Sequence, residues 1–243
     1  MPEAPTLPHH LQEQLRRRGS VIALRFPLNG TWISLTWSEL LDRAAAVAWA
    51  LRDHPRDQAL DWSSSDPGQF AATQLALLHL GRPSRPGSGP PPPEPGLPAP
   101  RNFLQSLCRQ LHPRDAAWDG LSQQEVWERA RRQAGRLGEE ALVSSAWTPA
   151  LGAAAVDAQS LVLAGPDCLP RLRPTVWLAS AAQLQALKLP PSRLGALGTL
   201  TRRWGRLDQE IGDRLQKVWV EGEIPAAAQS LQQRGVQVRM WGI

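Results

Sequence analysis

From Ala141 onward, short aliphatic runs alternate with longer amphipathic stretches. The spacing predicts strands at Ala141–Ser144, Ser160–Leu163, Thr175–Ala179, Val218–Glu221 and Val236–Met240. It predicts helices near Ala150–Val156 and at Ala181–Leu187, Leu207–Leu215 and Pro225–Gln233. A helix between two strands favours parallel pairing, because only antiparallel neighbours can be joined by a tight turn. Right-handed crossovers then set the carboxyl ends of the strands along one edge, the edge at which ligands sit in such folds. The expectation is α/β: a mostly parallel sheet flanked by helices.

The preceding half of the chain reads differently. Val21–Phe26 and Thr31–Leu35 flank "PLNG", and Asn-Gly tolerates positive φ at both positions, so a hairpin is expected. Thr36 and Glu39 stand at capping-box spacing before the stripe Leu40, Leu41, Ala44, Val47, Ala48 and Leu51. A short strand at Ala59–Trp62 precedes a second helix, with Asp66 as cap, Pro67 at its first position and Gly81 just past its end. "RPSRPGSGPPPPEPGLPAP", Arg82 to Pro100, favours extended geometry and reads as a linker. Helices follow at Asn102–His112 and Ser122–Leu137, the second opened by a Ser122/Glu125 box. The expected organisation is a flexible N-terminus (1–19), a hairpin/helix lobe (20–81), the Pro-rich linker (82–100) and an α/β core (101–243).

Charge narrows the function classes. The formal net charge is +5 and is carried almost wholly by Arg, Lys occurring only at Lys188 and Lys217. The basic runs Arg16-Arg17-Arg18, Arg131-Arg132 and Arg202-Arg203-Trp204-Gly205-Arg206 are scattered and accompany no recognised nucleic-acid module, so nucleic acid is not the expected partner. Cys108 and Cys168 lie far apart, and His9, His10, His54, His79 and His112 form no ligand spacing; no metal site is expected. The N-terminus lacks an apolar signal region. The longest uncharged run, Ala141–Val156, contains Pro149 and is too short and polar to span a bilayer. The expected location is the cytoplasm.

Five stretches in one order carry a resemblance. They are "GTWISLTWSELLDRAAAVAWALR", "QFAATQLALLHLGRPSRPG", "SQQEVWERARRQAGRLGEEALVSSAW", "LRPTVWLASAAQLQAL" and "KVWVEGEIPAAAQSLQQRGVQVRMWG". Together the chain resembles the N-terminal domain of the adenylate-forming (AMP-binding) superfamily, nearest the long-chain acyl-CoA and acyl-carrier-protein synthetase branch. The resemblance implies ATP and Mg²⁺, with a carboxylate attacking the α-phosphorus to give an acyl adenylate and pyrophosphate.

The residues at the implied site depart from the family pattern. Where a Gly/Ser/Thr-rich loop with a Lys would hold the phosphates, "HPRDAAWDGL" offers Asp115, Asp119 and Gly120. The family's aromatic-His pair reads Trp147-Thr148, and its small-residue stretch reads Glu221-Gly222-Glu223 between Val220 and Ile224. Its Tyr-Gly motif survives as Trp241-Gly242 before the chain ends at Ile243, without the Glu that would bind magnesium. The expectation is a degenerate, truncated, non-catalytic relative with no catalytic residue and no cofactor. It would take an acyl chain or a protein partner at its truncated edge, and could self-associate there through an exposed Trp241. The alternatives are an AMP-forming acid–thiol ligase completed by a partner chain, and an interaction module using residues 82–100 or the Arg runs.

Overall fold

Asn29 and Gly30 adopt φ of 49° and 78°, and this left-handed pair turns β1 (Ile22–Leu28) back onto β2 (Thr31–Thr36) as an antiparallel hairpin. This is a computed structural model; it describes residues 6–55, 59–87, 89–90, 98–118, 120–138, 141–144, 147–186 and 214–242. The chain forms two compact units. The first comprises residues 1–136 with 148–160, and the second 137–147 with 161–243.

In the first unit α2 (Trp37–Ala50) starts at the expected capping box: Glu39 N donates to Thr36 Oγ1, and Thr36 N donates to Glu39 Oε2. The helix buries Leu40, Leu41, Ala44, Val47 and Ala48, the stripe read from the sequence. β3 (Leu60–Trp62) leads to α3 (Pro67–Leu80), which is buried on nearly every side, as an apolar helix must be. Gly81 at φ 64° ends it in the left-handed cap. α4 (Phe103–Cys108) and α5 (Gln123–Gln133) follow, both shorter than expected.

Two segments differ from the sequence reading. Residues 1–19 were expected to be flexible, yet Leu7–Arg18 form α1, because Leu7 and Leu11 bury against the unit's interior. Ser84–Pro86, inside the expected linker, form β4 parallel to β3. There Ser84 is buried: its Oγ accepts from Trp62 Nε1 (3.2 Å) and donates to Gln74 Oε1 (3.4 Å).

In the second unit β5 (Ala141–Val143), β6 (Leu161–Leu163), β7 (Val176–Ser180), β8 (Lys217–Glu221) and β9 (Gln237–Met240) run parallel in the order β6-β5-β7-β8-β9. Helical segments separate them: α6 (Trp147–Asp157), α7 (Leu169–Leu172), α8 (Ala181–Ala186) and α9 (Gln229–Gln232). α6 begins at the second unit's last residue before the break and continues into the first. Five parallel strands, one antiparallel hairpin and flanking helices make the fold α/β, as expected. Most of the helix expected at Leu207–Leu215 lies outside the described residues. No described helix is long and apolar enough to cross a membrane.

Candidate functional site

Parallel order brings the carboxyl ends of β5 to β9 to one edge, and side chains tie much of that edge together. Ser144, just after β5, donates its amide to Leu178 O (2.9 Å) and its Oγ to Ala164 O (2.8 Å). The same Oγ accepts from Trp177 Nε1 at 3.0 Å. Gln183 Nε2 donates to Ser144 O (3.1 Å), while Gln183 Oε1 accepts from Ser180 N (2.9 Å) and Gln183 N donates to Ser180 Oγ (3.2 Å). One serine thus links three strand ends, and a reciprocal cap fixes the start of α8. These contacts tie the ends of β6, β5 and β7 together. The sequence reading missed all four residues. The Ser180/Gln183 spacing was a legible cap signal, whereas nothing local pairs Trp177 with Ser144.

At the other half of the edge stand Glu221, Gly222 and Glu223, all exposed, with Gly222 at φ 86°. A Cβ on Gly222 would meet nothing within 4 Å, so the turn needs glycine for its backbone and not for a close approach. Trp241 and Gly242 lie beside this turn, because Trp241 N donates to Val220 O at 2.7 Å. Glu221, Gly222, Glu223, Trp241 and Gly242 thus lie together at the carboxyl ends of β8 and β9.

Trp241 is not the exposed patch that was expected. It is 5% exposed, and its ring meets Trp219 edge-on with centroids 5.8 Å apart. The pleat is the reason. Trp219 pairs with Arg239, and side chains two residues apart share a face, so Trp241 falls on the Trp219 side.

Of the remaining positions, Asp115, Gly120 and Thr148 belong to the first unit and Trp147 to the second. A phosphate-gripping loop needs converging free amides or a cation. In the segment before α5 several amides are spent internally. His112 N donates to Asp115 Oδ2 (2.7 Å), Asp115 N to His112 O (2.9 Å) and Ala117 N to Leu121 O (2.8 Å). Gln123 N donates to Asp115 O and Gln124 N to Pro113 O, both at 2.9 Å. The helix start is closed by its own box, Ser122 N to Glu125 Oε2 and Glu125 N to Ser122 Oγ. Trp118 anchors the loop inward by donating Nε1 to Gln74 O at 3.1 Å. Gly120 is exposed at φ 75°, and Asp119 lies outside the described residues.

Trp147 and Thr148 open α6. Thr148 is buried and lines a cavity of about 20 Å³ with Trp118, Leu121, Val126, Ala130 and Gly152. That volume takes about one water and no acyl chain. Among the described residues no three His, Cys, Asp or Glu side chains come together. In the loop before α5 the amides of His112, Asp115 and Ala117 already have acceptors within the loop, one of them the Asp115 carboxylate.

No family model and no curated protein matches the chain. Solved structures do match. VinN in complex with L-aspartate is 14% identical with a TM-score of 0.66, over 97% of this chain and 75% of that one. The N-terminal domain of FACL13 from Mycobacterium tuberculosis is 12% identical with a TM-score of 0.63, over 97% and 75%. The fatty acid AMP ligase from Legionella pneumophila is 10% identical with a TM-score of 0.65, over 96% and 53%. The chain has the fold of the N-terminal domain of adenylate-forming enzymes. It corresponds to about half the length of the Legionella ligase and three quarters of the other two chains. Identities this low carry the fold and leave the chemistry to the residues.

Proposed function

We propose that the chain is a non-catalytic relative of the acid-activating enzymes whose fold it has, and that it acts by binding. Adenylate formation depends on positioning a triphosphate and neutralising its charge. The observation that supports this reading is the loop before α5, where amides that would face phosphates are donated within the loop itself and a carboxylate, Asp115, is one of their acceptors. The exposed Glu221 and Glu223 add negative charge beside the second half of the motif set. Acyl preference has no comparable support. VinN is seen with L-aspartate and the Legionella protein is a fatty acid ligase, so the long-chain branch expected from the sequence is one of several neighbours.

Carboxylate-dependent exchange of labelled pyrophosphate into ATP tests the reading. Purified chain with aspartate, aromatic acids or fatty acids should give no exchange above a protein-free blank. Exchange that scales with protein concentration would overturn it.

A further inference from the structure

We draw no further inference here: the strongest candidate, the cleft of about 360 Å³ between α1, α2 and α4 of the first unit, lined by the buried Leu41 and Leu104 and the exposed Asp42 and Arg101, carries none because nothing in the structure shows what fills it.

Discussion

Asp66 accepts from Gly68 N (2.7 Å) and Gln69 N (3.2 Å) and so satisfies two amides that α3 cannot satisfy itself. Asp66→Ala should lower the unfolding free energy by about 1 kcal/mol in urea titration, and Asp66→Asn should keep most of it. Further along the same helix His79 is fully buried. Burial pushes its pKa down from 6.5 to about 4, with Nδ1 held 2.7 Å from Leu75 O. The unfolded chain therefore binds the proton more readily than the folded one. The neutral ring's place in the fold is secure above pH 6.5, and stability falls as pH drops from there toward 4. Urea midpoints at pH 7 and pH 5 should show that fall, and His79→Gln should flatten it. The Glu39 and Glu125 carboxyls act in a lower window. Hydrogen bonds from the backbone and side chain of Thr36 and Ser122 hold them below the ordinary 4.5, so their support persists at pH 5 and is lost under more acid conditions. Burial also pushes the Cys108 thiol up to about 12. Iodoacetamide at pH 8 should therefore label the more accessible Cys168 well before Cys108, read by peptide mass spectrometry.

Among the elements, β9 depends on the residue after it. Trp241 continues the pairing with β8 and covers Trp219, so Trp241→Ala should destabilise the chain by about 3 kcal/mol or more in urea titration. An unchanged midpoint would mean that this contact contributes nothing. The elements that local rules specify were legible beforehand: the Asn29-Gly30 hairpin, the Thr36 and Ser122 boxes, and α3 between Asp66 and Gly81. Each is set by residues within one turn of the boundary it makes. α1 was not legible because its polar composition hides two leucines whose value depends on a core supplied by other segments. β4 was hidden by neighbouring prolines, and its strand character comes from pairing with β3. The burial of Trp241 and the Ser144–Trp177–Gln183 ties depend on the pairing of distant strands, which no local pattern encodes.

For the whole molecule, the proposed reading is that scaffold and site chemistry have separated. The fold is that of adenylate-forming N-terminal domains at 10% to 14% identity to the three structures compared. The motif positions, by contrast, carry a self-bonded loop at Asp115, a buried Thr148 and the exposed pair Glu221 and Glu223. A packed α/β scaffold tolerates such replacements because its stability resides in buried strands and helices, whereas nucleotide binding requires free donors at particular points. A ligand that binds only the folded chain must raise its melting temperature by mass action, so millimolar ATP with Mg²⁺ should leave the thermal midpoint unshifted. The most direct measurement is equilibrium dialysis of radiolabelled ATP, with Mg²⁺, against the purified chain. Equal ATP concentration on both sides at every protein concentration is the predicted result; saturable retention on the protein side would contradict the claim that this fold no longer grips a triphosphate.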